Sequence, residues 1–170
     1  MNRPHYILLP VSPLFIGCSL TVAFLLNMLP WGHFVGAPDF VALVLVFWGI
    51  HQPRKVGIGM AFFMGLLMDV HEATLLGENA LAYTLLSYFA IMIHRRVLWF
   101  PILTQAVHVF PLLLMTQAIQ VLVRYVVSGK LSGWEYFLES VAGIALWPLI
   151  TWLLLAPQRR AVDRDHTRPI

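Results

Sequence analysis

The stretch FFMGLLMDVHEATLLGENA, Phe62 to Ala80, decides how this part of the chain folds, because a carboxylate directly follows a strongly apolar run. Small residues and this acid recur at every fourth position, and in a helix such spacing aligns them on one face. Small side chains let helix backbones approach closely in a membrane. The sequence therefore predicts a helix-packing or partner-binding face formed by Gly57, Ala61, Gly65 and Asp69.

Asp69 is expected to point into a helix interface near the external end of its span, where another helix, a backbone group or a water satisfies it. An ionisable residue inside a membrane is also, by default, a candidate proton relay or ligand counter-ion. The sequence favours the structural role. It leaves open whether the charge itself is needed.

The composition is that of an integral membrane protein. Of the 170 residues, 59% are hydrophobic and only 11% are charged, compared with roughly 25% charged residues in soluble domains. The mean hydropathy is +0.78. The net charge of +3 does not indicate nucleic-acid binding, because the basic residues occur in pairs at the ends of apolar runs. The single cysteine, Cys18, excludes a disulfide framework and a cysteine-based zinc site.

Apolar segments separated by polar or turn-forming residues predict an all-α membrane protein with six transmembrane helices. The segments cover approximately residues 7–29, 38–51, 56–71, 76–93, 101–127 and 139–156. They make one transmembrane domain over residues 1–157, followed by a polar cytoplasmic tail over 158–170. The second and third segments are short and predict a tight helical hairpin around QPRK, Gln52 to Lys55. The first is predicted to be an uncleaved span, since two prolines interrupt it and no A-x-A site follows.

The basic residues divide unequally between the two sides of this arrangement. One side would hold Arg3, Arg54, Lys55, Arg95, Arg96, Arg159, Arg160, Arg164 and Arg168. The other side would hold only Arg124 and Lys130. Because basic residues concentrate on the cytoplasmic side, both termini are predicted to be cytoplasmic, and the loops after the first, third and fifth helices external.

Two further sets of polar residues are candidate sites. Asp39 follows Pro38 and precedes a long apolar run, which predicts a helix cap or a partner contact. The fifth segment carries polar residues within about half of the helix circumference, which should face the bundle or a partner. These residues are Gln105, His108, Thr116, Gln117, Gln120 and Arg124. Hydrogen bonding between helices and a substrate pathway are the two interpretations, and the first is favoured.

The enzyme motifs considered are either incomplete or absent, so the sequence predicts a protein that is not an enzyme and has no cofactor or metal. HEATL begins like the zinc-protease motif H-E-x-x-H, but Leu75 stands where the second histidine is needed. No G-x-S-x-G elbow, phosphate-binding P-loop or G-x-G-x-x-G motif is present.

Several stretches together resemble the rod shape-determining protein MreD family, especially its betaproteobacterial members. They are LLNMLPWG, GAPDFVALVLVFWGIHQPRKVGIGMAFFMGLLMDV, LLGENALAYTLLSYFAIMIHRRVLWFP, YFLES and WPLITWLLLAPQRR. PDF, P-x-x-V-G, GLLMD and LG-x-x-AL are specific in combination and weak singly. The resemblance covers nearly the whole chain.

The resemblance implies a non-enzymatic scaffold of the bacterial cell-elongation machinery in the inner membrane. The implied partners are MreC, the MreB filament, and RodA with its penicillin-binding partner. The family is also similar in fold to the substrate-binding subunits of energy-coupling vitamin transporters, which implies six helices but does not fix function. The alternative is therefore a small-molecule-binding membrane subunit of a transporter.

Overall fold

Six α-helices account for most of the described chain, in agreement with the six predicted. The structure, a computed structural model, describes residues 7–8, 11–30, 36–129 and 133–160. The helices are α1 Pro13–Met28, α2 Phe40–His51, α3 Ile58–Glu72, α4 Glu78–Val97, α5 Ile102–Ser128 and α6 Leu138–Leu155. Short 3₁₀ turns, Trp134–Phe137 and Ala156–Gln158, flank α6. The predictions for Arg3, Lys130 and residues 161–170 lie outside the described residues.

The first helix begins later than the sequence predicts. The apolar segment from residue 7 is wrong as a helix start, because α1 begins at Pro13 with Ser12 as its cap. The Ser12 side chain accepts a hydrogen bond from the Phe15 amide at 3.2 Å. Proline suits the first position of a helix, where its missing N–H is not needed.

The residues before α1 pair with the residues after α6. Strand β1, Ile7–Leu8, runs antiparallel to strand β2, Arg159–Arg160, so part of the predicted tail is hydrogen-bonded to the N-terminal segment. The Lys55 ammonium donates to the Val11 carbonyl at the same end of the bundle. The two terminal segments and the α2–α3 loop therefore meet at one end.

Helix α2 lies at the centre of the bundle. Every residue from Val41 to Ile50 is buried, which accounts for a sequence that is apolar on all sides. It contacts α1, α4 and α6, while α4 packs against α2, α3 and α5. The Trp48 indole N–H donates to Ser19 of α1 at 2.9 Å, and the Phe47 ring lies 6.4 Å from that of Trp147 in α6.

The outer helices expose large apolar side chains to their surroundings. Examples are Leu14 on α1, Phe63 on α3, Met92 on α4, Leu103 on α5 and Trp152 on α6, all more than half exposed. Such a surface suits contact with hydrocarbon. Among the described residues, two helical stretches are long and apolar enough by themselves to cross a membrane, Ile102–Ser128 and Leu138–Gln158.

Candidate functional site

Asp69 caps the N-terminus of the neighbouring helix α4. One carboxylate oxygen, Oδ2, accepts from the Gly77 amide at 2.8 Å and from the Ala80 amide at 3.4 Å. The other, Oδ1, accepts from the Asn79 amide at 2.7 Å and more weakly from the Thr74 hydroxyl at 3.5 Å. The first N–H groups of a helix have no partner within it, and the helix dipole favours an anion there. A carboxylate that is only 1% exposed is thus satisfied by α4 itself.

Gly65 brings α3 and α4 into backbone contact one turn before Asp69. A Cβ atom on Gly65 would lie only 2.4 Å from the Ala80 Cα. Ala61 is fully buried on the same helix. Gly57 does not share this contact: it is the cap residue before α3, and nothing lies within 4 Å of its Cβ position. The predicted face therefore shortens to Ala61, Gly65 and Asp69.

Asp39 joins three helices at the same end of the bundle. As the N-cap of α2, its side chain accepts from the Ala42 amide at 3.0 Å. It also accepts from the side-chain NH₂ group of Asn27 in α1 at 2.9 Å and from the Tyr83 hydroxyl of α4 at 2.5 Å. Asn27 in turn accepts from the Phe40 amide at 2.9 Å. Helices α1, α2 and α4 are therefore held in register by one carboxylate.

The C-terminal half of α5 links α4 to α6. Arg124 donates to Glu78 at 2.6 Å and 3.1 Å, and its guanidinium carbon lies 5.3 Å from the centre of the Tyr136 ring. Gln120 donates to Asn79 at 2.6 Å. Gln117 accepts a hydrogen bond from Ser140 of α6 at 2.6 Å.

The other polar residues of α5 do not belong to this group. Gln105, although buried, bonds its own helix start at the Phe100 carbonyl, and Thr116 donates to the Leu112 carbonyl. The His108 ring stacks on Phe100 with ring centres 4.8 Å apart. The residues of the predicted polar face are therefore divided along the 27-residue helix: Gln105 and His108 lie near its start, and Gln117, Gln120 and Arg124 lie in its C-terminal half.

These groups surround a polar cavity of about 360 Å³. It lies where α1, α3 and α5 end and where α2, α4 and α6 begin, and we call this end the polar end. Burial, together with the negative charge of Glu139, raises the pKa of the Tyr136 phenol. The lining includes Asn27, Pro38, Asp39, Glu72, Thr74, Asn79, Gln120, Arg124, Tyr136 and Glu139.

Several residues in or beside this cavity are not predicted from the sequence. Asn27, Asn79, Tyr83 and Glu139 belong to no motif with a known chemistry, so no spacing rule identified them. Their shared signal was position, since each lies within about two turns of the predicted external end of its helix. Among the described residues, no group of three or more histidine, cysteine or acidic side chains is arranged to hold a metal ion.

Comparison with known proteins identifies the family. Residues 10–156 match the family described as rod shape-determining protein MreD. The chain is 31% identical over 147 residues to the rod shape-determining protein MreD of Haemophilus influenzae (strain ATCC 51907 / DSM 11121 / KW20 / Rd), a match that covers 83% of this chain and 88% of that protein. No solved structure matches the chain. Both sequence matches extend over most of the chain, and the bundle has the apolar surface of a membrane protein. The chain therefore belongs to the rod shape-determining protein MreD family, whose members are membrane proteins.

Proposed function

We propose that this protein is a non-enzymatic, multi-pass scaffold of the bacterial inner membrane that acts in cell elongation. It binds MreC and helps couple MreB filaments to peptidoglycan synthesis by RodA and its penicillin-binding partner. The observation that carries the proposal is the family match over residues 10–156. The membership itself supports a role in determining rod shape.

The packing of the bundle supports a scaffold in physical terms. Its helix ends are joined by side chains that bond across helices, as Asp39 does to Asn27 and Tyr83. Its outer helices expose apolar side chains on α1, α3, α4, α5 and α6. A partner's membrane-spanning helix packs against this surface, whose shape is set by the bundle and does not depend on the partner. Helix association in lipid rests on such packing.

All six helices cross the membrane in this proposal, including α2 and α3, which have 12 and 15 residues. Helix α2 is surrounded by other helices and does not itself need to match the thickness of the bilayer. The nine basic residues at the termini and in the second and fourth loops lie in the cytoplasm. The polar end faces the opposite side.

Affinity purification and depletion test this proposal. A tagged copy, extracted in mild detergent, should recover MreC, and depletion should turn rods into spheres because the elongation machinery loses a membrane anchor. A matched pair of variants strengthens the test: Gly65→Leu, which inserts bulk between α3 and α4, should weaken MreC recovery, whereas Gly59→Leu, at an open position, should not. Normal shape after full depletion would contradict the proposal.

A further inference from the structure

The scaffold role makes no use of the cavity at the polar end. Its walls carry three carboxylates, Asp39, Glu72 and Glu139, and one guanidinium, Arg124. At about 360 Å³, the cavity falls in the size range of small-molecule sites, roughly 300–1,000 Å³. It is bounded by side chains from all six helices or the turns that join them, so its shape is fixed by the bundle.

Two of the four charges are already engaged. The Asp39 carboxylate accepts three hydrogen bonds, from Asn27, Ala42 and Tyr83. Arg124 is paired with Glu78, a residue only 1% exposed, so that its positive charge is neutralised within the wall.

Glu72 and Glu139 have no cation in direct contact among the described residues, although Arg124 acts on both from a distance. Glu72 accepts one hydrogen bond from the Asn79 side-chain amide at 3.2 Å. Glu139 accepts one from the Gln117 side-chain amide at 3.4 Å. In the part of the chain that the structure describes, the salt bridge at this end joins Arg124 and Glu78, and neither of these two glutamates takes part in one. Across the cavity, Asp39 and Glu72 repel a negative charge on Glu139, and the Arg124 guanidinium attracts it more weakly.

We propose that this cavity binds an organic cation, through an ammonium or guanidinium group placed between Glu72 and Glu139. A cation there offsets the repulsion among three carboxylates and gives Glu72 and Glu139 a charged hydrogen-bond donor in direct contact. The asparagine and glutamine side chains of the wall, Asn79 and Gln120, are bonded to each other and supply a neutral polar floor. The group belongs either to a free amine or to a lysine or arginine side chain of a partner protein, since both present the same donors.

Calorimetric titration of the full-length protein in lipid nanodiscs tests the proposal. The probe is 1,4-diaminobutane, with 1,4-butanediol as a neutral molecule of similar length, at constant ionic strength. Wild type should bind the diamine and not the diol. Glu72→Gln/Glu139→Gln should weaken diamine binding at least tenfold. Asp163→Asn/Asp165→Asn, which removes two negative charges from the tail sequence, should leave it unchanged.

Folding is controlled separately. Near-ultraviolet circular dichroism and elution volume report the fold of each variant, and the single variant Glu72→Gln, at an exposed residue, provides a second measurement if the double variant does not fold. Absence of diamine binding to wild type, equal binding of the diol, or unchanged affinity in the cavity variants would overturn the proposal.

Two further measurements distinguish the sources of the cation once diamine binding is established. Native mass spectrometry detects a small amine retained by protein from native membranes. A photo-crosslinking amino acid at Ala37, a neutral lining residue, captures a protein partner instead. The result is independent of the scaffold role: a cavity variant that loses diamine binding but still recovers MreC separates the two.

Discussion

Asp69 uses both carboxylate oxygens, and this determines which substitutions it can tolerate. Each oxygen faces backbone N–H groups of the first turn of α4. An asparagine side chain keeps one acceptor but turns its NH₂ group toward N–H donors. Asp69→Asn should therefore destabilise the protein by about 1–3 kcal/mol, the cost of leaving a buried donor unsatisfied. Asp69→Leu, which removes both acceptors, should cost more. Thermal unfolding in detergent measures both.

Thr74→Val is the control for Asp69, because it removes only the 3.5 Å contact and should change stability by less than about 1 kcal/mol. The sequence alone treats aspartate and asparagine as similar hydrogen-bonding groups, since it does not reveal how many donors surround the side chain. An Asp69→Asn variant as stable as wild type would contradict the capping role. Equal loss of MreC recovery in stable Asn and Leu variants would instead indicate that the charge serves function.

Gly65 and Gly59 lie on the same helix and should respond oppositely to alanine. At Gly65, the new Cβ would meet the Ala80 backbone, which cannot move aside as a flexible side chain does, and Gly65→Ala should destabilise the protein by about 1–3 kcal/mol. At Gly59, no atom lies within 4 Å, and alanine should be neutral or stabilising by up to about 1 kcal/mol. Unfolding temperatures of the two variants measure the difference. Equal effects would mean that α3 and α4 are not in backbone contact.

At the scale of elements, the sequence predicts the six helices, but it places the start of α1 too early. Ser12 followed by Pro13 is the signature of a helix start. The apolar run from Ile7, although interrupted by Pro10 and Pro13, predicts an earlier start, because apolar length and helix length coincide only where no strand pairing competes. Here the β1–β2 pairing takes up Ile7 and Leu8.

The periodicity of the sequence also predicts which side of α5 is polar. It does not predict where along the helix the hydrogen-bond partners lie. Gln105 and Gln120 share that side and are both buried. They differ in axial position, and only the packing of α4 and α6 decides that Gln120 meets Asn79 while Gln105 bonds its own helix start. Position along a helix relative to its neighbours is a tertiary property that no pattern within one segment contains.

The Arg124–Glu78 pair joins α5 to α4, and breaking it from one side should be worse than removing it whole. Arg124→Gln leaves a carboxylate that is 1% exposed without its cation and should cost about 2 kcal/mol. Arg124→Gln/Glu78→Gln leaves no buried charge and should cost less. A double-mutant cycle by thermal unfolding measures the coupling. The control Arg95→Gln, at an exposed residue of α4, should change stability by less than about 0.5 kcal/mol.

At the scale of the whole molecule, composition was enough to predict a membrane protein and segment counting was enough to predict six helices. The polar cavity was not predictable, because its walls come from residues as far apart in sequence as Asn27 and Glu139. The fold nevertheless respects a pattern that was visible: the loops with few basic residues gather at the polar end, and the β1–β2 pair and Lys55 gather at the opposite end.

Topology is the property of the whole molecule that reporter fusions test directly. Because the positive-inside rule places the nine basic residues in the cytoplasm, a phosphatase fused after Pro157 should be inactive, and one fused after Glu72 should be active. A cytoplasmic reporter at the same two positions should give the reverse pattern, which controls for expression. Phosphatase activity after Pro157, or none after Glu72 at equal abundance, would contradict six crossings with both termini inside. The same outcome would move the polar end, with its cavity, to the cytoplasmic side, where cytoplasmic amines rather than external ones would reach Glu72 and Glu139.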